Sequence, residues 1–186
     1  MGGYWDERYR AEPVPTDPGV FVRDELAPLL GKPGRALDLA GGAGRHAIWL
    51  AERGWDTTLL EASTVALDLA AERAVNAGVE LHLIHADLTK DGLPEDPWDL
   101  VIITHYLQRE LFPAVAEILS PGGLFAYSIA TVRNLERHER PPRRALLDEG
   151  EAPSLTGDLE IVFYEEGWSA ADRHEARVVA RKPVDG

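Results

Sequence analysis

The chain has 186 residues, a length that suits one domain spanning 1–186, and its 45% hydrophobic and 27% charged content is that of a globular protein. With 32 acidic against 19 basic side chains the formal net charge is −13, a field that repels phosphate backbones and anionic membranes, so nucleic acid is a disfavoured partner. The absence of cysteine excludes disulfides, zinc–thiolate sites and thiol nucleophiles, and no metal is expected.

Residues 1–33 read as an N-terminal cap segment and a helix. The stretch MGGYWDERYR lacks the apolar core of a secretory signal, and no apolar run nears the ~18 residues of a membrane span. The expectation is a cytoplasmic protein without membrane contact. Asp17-Pro18 is a capped helix start, and the helix should run to about Leu30, burying Phe21, Leu26 and Leu29. Arg35 to Ala40 reads as a buried strand entering a glycine cluster, and Gly44 to Arg53 as a helix. Asp56 to Glu61 is strand-like, and Ser63 caps a helix that Gly78 closes. Leu81 to His85 and Trp98 to Thr104 read as strands, Arg109 to Leu119 as a helix, Ser120-Pro121-Gly122-Gly123 as a turn and Leu124 to Ala130 as a strand. Residues 131–156 are polar, Arg- and Pro-rich, and read as an irregular, lid-like insertion. Two strand-like runs follow, near Leu159–Glu165 and Glu175–Arg181, with too little chain between them for a long helix, so they should pair antiparallel at one edge. The alternation makes an α/β protein with a mostly parallel sheet covered on both faces.

The informative segment is Leu37-Asp38-Leu39-Ala40-Gly41-Gly42-Ala43-Gly44-Arg45, a strand running through a tight turn into a helix. Glycines there let the backbone approach a ligand, and the helix start offers free N–H groups. Gly42-x-Gly44-x-x-Ala47 fits a dinucleotide turn, and Glu61 lies 61 − 44 = 17 residues on, where a carboxylate can accept ribose hydroxyls. That pattern suits NAD and S-adenosylmethionine alike. Three features favour S-adenosylmethionine: Asp38 inside the first strand, Asp87 after the third, where it can reach an adenine amino group, and no second catalytic domain for a hydride acceptor.

The segments LDLAGGAGRHAIWLAERG, LLEAS, HADL, WDLVIITHYLQRELFPAV and LSPGGLFAYS resemble class I S-adenosylmethionine-dependent methyltransferases, and most of all the small bacterial group of tellurite-resistance-type and thiopurine-type enzymes. The resemblance covers roughly Trp5 to Ala130. It implies a Rossmann-like, doubly wound, three-layer α/β/α fold whose seven-stranded sheet ends in an antiparallel strand. It implies S-adenosylmethionine as cofactor and S-adenosylhomocysteine as product. Cofactor contacts are implied at Ala40, Gly41, Gly42 and Gly44, at Glu61 with Ala62, at Asp87 with Leu88, and at Thr104; alternatively Glu61 is a solvated strand end and Asp87 only caps the Leu88 turn. Ala40 departs from the family's usual first glycine, and Glu61 from its common Asp. Trp5 to Tyr9 is similar to the aromatic entry that lies over the cofactor in related enzymes, which brings Tyr9 to the cofactor; alternatively Trp5 and Tyr9 only dock the first helix.

His105 and Tyr106 follow Thr104 at the mouth of the fourth strand and are the catalytic candidates; alternatively His105 is a strand-end residue that bonds a nearby carbonyl. An unperturbed histidine titrates near pH ~6.5 and suits general-base work. Tyr106 can pack on a flat acceptor or donate a hydrogen bond. Thr104-His105-Tyr106-Leu107 is not the Asn- or Asp-Pro-Pro-aromatic run of amino-directed nucleic-acid methyltransferases. A small-molecule acceptor is therefore expected; an RNA-directed enzyme, a non-catalytic S-adenosylmethionine-binding regulator and an NAD-linked reductase are the alternatives. Arg133, Arg137, Arg140, Arg143 and Arg144 lie within twelve positions. They read either as a receptor for an anionic group on the acceptor or as a solvated loop paired with Glu136, Glu139, Asp148 and Glu149.

Overall fold

The structure, a computed structural model, describes residues 2–95 and 97–184. Seven strands form one sheet in the order β3-β2-β1-β4-β5-β7-β6. They are β1 (Arg35–Leu39), β2 (Asp56–Glu61), β3 (His82–His85), β4 (Trp98–Thr104), β5 (Leu119–Ala130), β6 (Glu160–Trp168) and β7 (His174–Arg181). The first five run parallel, and β7 is antiparallel to both β5 and β6. The order reverses between β1 and β4, so a crevice opens at their C-terminal ends.

Alternate residues of the central strands feed two cores, one per sheet face. Leu37, Val101, Ile103, Phe125, Tyr127 and Val178 face one side, while Ala36, Leu100, Ile102, Ala126 and Val179 face the other. This double burial is why these strands read as continuous apolar runs. The second face is covered by Phe21, Val22 and Leu26 and by Trp49 and Leu50 of α2 (Arg45–Ala51), while α3 (Thr64–Ala77) closes a smaller cluster over β2. The first face receives Leu111, Phe112 and Val115 of α4 (Leu111–Ile118). Pro113 fits inside α4 because the first turn has no partner for its missing N–H.

With eight residues α4 is only about 12 Å long, too short to cover β5 and β7. Leu147, Ala152 and Leu159 complete that core, and Tyr127 donates its hydroxyl to the Ala152 carbonyl at 2.6 Å. Residues 131–156 do lack long elements, forming three short turns, yet Leu146, Leu147 and Ala152 are fully buried.

Other expectations need adjusting. The segment Ser120-Pro121-Gly122-Gly123 does not separate helix from strand: it bulges from a β5 that already pairs Leu119 with Trp98. Gly122 takes φ +78°, and its N–H bonds the Lys182 carbonyl at 2.9 Å, so the turn chemistry survives inside the strand. The helix after Asp17 widens over Phe21–Leu26 and tightens over Ala27–Leu29, leaving Leu29 half-buried rather than buried. The aromatic entry segment is itself helical, α1 (Gly2–Ala11).

If residues 146–152 are core, Leu147→Ala should lower unfolding free energy by about 2–5 kcal/mol in a urea titration. A loss near zero would mean that the segment covers nothing.

Candidate functional site

The turn between β1 and α2 lines the crevice. Ala40 at φ +51°, Gly42 at φ +59° and Gly44 at φ +76° take left-handed backbone that glycine adopts freely and alanine does not. Ala40 therefore holds a strained conformation where the related motif has glycine. A Cβ on Gly41 would overlap Leu59 and the Asp38 carboxylate, and one on Gly42 would overlap the Tyr9 hydroxyl.

Glu61, at the end of β2 and almost fully buried, clasps this turn. Its Oε2 accepts from Gly42 N at 3.0 Å, and its Oε1 from Ala62 N and Ser63 N, both at 2.8 Å. A carboxylate has about four acceptor positions, so capacity for a further hydroxyl remains. The helix α1 crosses above: Asp6 Oδ1 accepts from Ser63 Oγ at 2.6 Å and from Val65 N at 3.4 Å, which holds Asp6 below its usual pKa and brings Tyr9 onto the turn. The Tyr9 phenol is pushed up to about 12, first by burial, then by Glu61.

Beneath the turn Asp38 is fully buried. Its Oδ2 accepts from Ala47 N at 3.2 Å, and its Oδ1 has no hydrogen-bond partner. Burial drives its pKa up to about 7 against the pull of Arg45. His46 Nε2 donates to the Pro18 carbonyl at 3.1 Å, because a carbonyl only accepts. Its Nδ1 is then the acceptor that faces Thr104 Oγ1 at 3.5 Å. Burial, then the charge of Arg45, keeps His46 well below the usual histidine range.

Asp87 forms a local turn. Its Oδ1 accepts from Thr89 N and Oγ1 at 3.1 and 2.6 Å, and Lys90 Nζ sits 3.0 Å from Oδ2. Those bonds, the Thr89 hydroxyl first, hold its pKa far below the carboxylate norm. Leu88 is buried beside it, and its carbonyl accepts from Gln108 Nε2 at 3.4 Å. Tyr106 donates to Gln108 Oε1 at 2.6 Å, so the phenol is tied to the Leu88 loop rather than left free to donate elsewhere. Burial raises the Tyr106 pKa to about 12.

His105 takes φ +58°, and its N–H bonds the Ser128 carbonyl at 2.8 Å. His105 is exposed to solvent at the mouth of β4. The protein crowded around it, then Arg173 and Arg45, lower its pKa to about 3, not the ordinary value that the sequence suggests. The imidazole is neutral at neutral pH.

Asp6, Arg45, His46, Gln108 and Arg173 were not expected in this site. Arg45 and His46 directly follow Gly44, a position that could have flagged them. Arg173 arrives from 68 residues away and has no local signal. Of the Arg-rich run, Arg133 pairs with Glu136 and Glu149, Arg137 with Asp172 and Arg143 with Asp148. These ion pairs agree with the solvated-loop reading. Among the described residues no three His, Asp or Glu side chains converge as a metal set.

Residues 36–123 match the family model described as a methyltransferase domain. Over 127 residues the chain is 34% identical to ribosomal RNA small subunit methyltransferase C of Alcanivorax borkumensis, covering 58% of this chain and 39% of that protein. The chain thus spans about two fifths of the curated relative it matches. TehB from Haemophilus influenzae superposes with a TM-score of 0.72 at 20% identity, over 97% of this chain and 66% of that one. The glycopeptide N-methyltransferase MtfA in complex with S-adenosylhomocysteine gives 0.67 at 19% identity, over 90% of each chain. These bear out the class I methyltransferase fold.

The site's residues fit the S-adenosylmethionine that the sequence resemblance implies. They combine a glycine turn too tight for side chains, a buried carboxylate oxygen without a partner at Asp38, and spare acceptor capacity on Glu61.

Asp38 leaves a signature in the ligand-free protein. Its folded pKa is raised from 3.8 to about 7, so its contribution to stability is full below pH ~4 and is lost as pH rises to ~7. His46 and His105, with lowered folded values, act in the opposite sense below pH ~6.5. Asp38→Asn should therefore make stability rise more steeply, or fall less, between pH 4 and 7 in denaturant titrations. Parallel pH profiles for both proteins would remove the proton from Asp38.

Proposed function

We propose that the protein is an S-adenosylmethionine-dependent methyltransferase acting on a small-molecule acceptor. The observation that carries this is the Glu61 clasp on the glycine turn of a matched methyltransferase domain. S-Adenosylmethionine supplies a sulfonium-activated methyl group, which an acceptor lone pair can take while the sulfur leaves as a neutral thioether. The chain's own residues bind, orient and exclude water. Glu61, with Ala62, takes the ribose hydroxyls. Asp87 and Leu88 flank the adenine. Ala40 to Gly44, with Asp38 beneath and Thr104 beside, cradle the remainder. Tyr9 on α1 closes over the turn and keeps water out.

His105 and Tyr106 form the acceptor side. The neutral His105 ring accepts a hydrogen bond or proton from the acceptor, and Tyr106, braced by Gln108, forms a flat wall. The curated relative described above is a ribosomal RNA enzyme. The net charge of −13 and the sequence Thr104-His105-Tyr106-Leu107 favour a small acceptor over RNA. Turnover on any acceptor separates an enzyme from a binding protein that kept the fold.

Titration calorimetry with S-adenosylhomocysteine tests the cofactor half. Glu61→Ala should weaken binding by about 1–3 kcal/mol through lost charge-assisted bonds. Unchanged affinity would overturn the ribose assignment. For the acceptor half, His105→Ala should cut turnover about tenfold or more while S-adenosylhomocysteine affinity holds. Equal turnover would take His105 out of the chemistry.

A further inference from the structure

Arg173 stands at the tip of the β6–β7 hairpin, one residue before β7. The tip is fixed from two sides. Ser169 N donates to the Arg173 carbonyl at 2.7 Å, and Thr131 N donates to the His174 carbonyl at 2.9 Å. Thr131 Oγ1 and His174 Nδ1 meet at 2.7 Å. The neighbouring acid, Asp172, turns the other way: it accepts from Arg137 at 2.6 Å and lies 3.4 Å from His138 Nε2. Arg137 is also stacked on Trp168, its guanidinium 3.8 Å from the ring centroid. Adjacent residues of one tight tip thus point their charges in opposite directions.

Arg173 points into the crevice. Its Nη1 lies 3.2 Å from His105 Nε2 and 3.4 Å from Nδ1, so the guanidinium sits against the ring. Among the described residues it has no carboxylate partner. Arg45, at the start of α2, likewise has no ion pair there, and its charge acts on both Arg173 and His105. Elsewhere in this acidic chain Arg109, Arg133, Arg143 and Arg177 all hold carboxylates. A guanidinium without a carboxylate partner, with a second cation near enough to act on it and itself faced by Asp38 and Asp17, is an arrangement for an anion, which arginine binds bidentately.

We propose that Arg173, backed by the charge of Arg45, forms an oxyanion subsite beside His105 that takes a carboxylate or phosphate group of the methyl acceptor. The inference rests on the methyltransferase reading and names the acceptor's chemical class. It moves anion recognition from the Arg133–Arg144 run, where three of five arginines are paired, to the hairpin tip. It also gives His105 a role that depends on the acceptor. An anion seated there offsets the part of the depression that Arg173 and Arg45 add to that of desolvation, and so raises the imidazole's affinity for a proton.

The test uses the whole chain saturated with S-adenosylhomocysteine. Benzoate, phenyl phosphate and the neutral benzamide are titrated by calorimetry into the wild type, Arg173→Ala and Arg173→Lys, at low and high salt. At least one anion should bind in a salt-sensitive way and benzamide should not, the tighter anion naming the group. Arg173→Ala should weaken that anion about tenfold and Arg173→Lys by less, with S-adenosylhomocysteine affinity within about twofold of wild type. The His105 ring, followed by NMR, should titrate at higher pH once the anion is bound. Equal anion affinity in Arg173→Ala, benzamide matching benzoate, or no binding of either anion to the cofactor-loaded wild type would overturn the subsite and leave the methyltransferase reading standing. Failure of the wild type to bind S-adenosylhomocysteine would overturn that reading and this inference with it. If Arg173→Ala does not fold, Arg173→Lys and the salt dependence decide.

Discussion

One buried carboxylate fastens the two loops on which the site depends. Glu61 accepts from Gly42 on the β1 turn and from Ala62 and Ser63 leaving β2, so the ends of adjacent parallel strands are joined by a side chain where ladder bonds stop. Each of those N–H groups would otherwise need a ligand or water. The clasp fixes the turn's backbone and, with Ser63 capping α3 through Ala66 N at 3.1 Å, the start of the next helix. Asp6 then anchors α1 to that same Ser63. Glycine turn, helix start and overlying helix are thus positioned through one short stretch of chain, Glu61 to Ser63.

Cover for the sheet is distributed in a way that constrains the rim of the crevice. The face lined by Phe125, Tyr127 and Val178 has one short helix, α4, and completes its core with Leu147, Ala152 and Leu159. The chain between β5 and β6 must return to that face in its second half. Its first half is held at the rim, where Asn134 Nδ2 donates to the Arg140 carbonyl at 2.9 Å and Arg137 stacks on Trp168. Segment and hairpin tip support one another, which is what gives Arg173 a defined direction toward His105.

The central strands were legible because burial on both faces selects a continuous apolar run, as in Leu100–Ile103 of β4. The turn residues were legible because left-handed backbone selects glycine. The β5 bulge was not, since Pro121 and Gly122 carry a turn's local chemistry while their pairing partner, Lys182, lies some sixty residues away. Charge partners divided on the same line. Arg133 with Glu136 could be read from helical spacing, whereas Arg173 with His105 and Asp6 with Ser63 are set by the tertiary fold. His105 shows the limit most clearly. Its position at a strand mouth could be read, but its titration depends on two arginines brought from other elements and on the protein packed around it.

The crevice is electrically divided along the sheet. Toward β2 stand Glu61 and, at the next loop, Asp87; toward β7 stand Arg173 and, across the turn, Arg45. Between them Asp38, His46 and His105 are all pushed by burial toward their uncharged forms, the acid upward and the histidines downward. A floor of side chains held uncharged, with opposite charges on its two flanks, leaves a field across its width that is weakest where solvent reaches His105. Hydroxyl donors are favoured against the acidic flank and anions against the basic one. A ligand with polar groups at both ends therefore has one favoured orientation before any shape complementarity is counted, and this polarity arises from side chains on four separate elements whose common property is where the sheet ends.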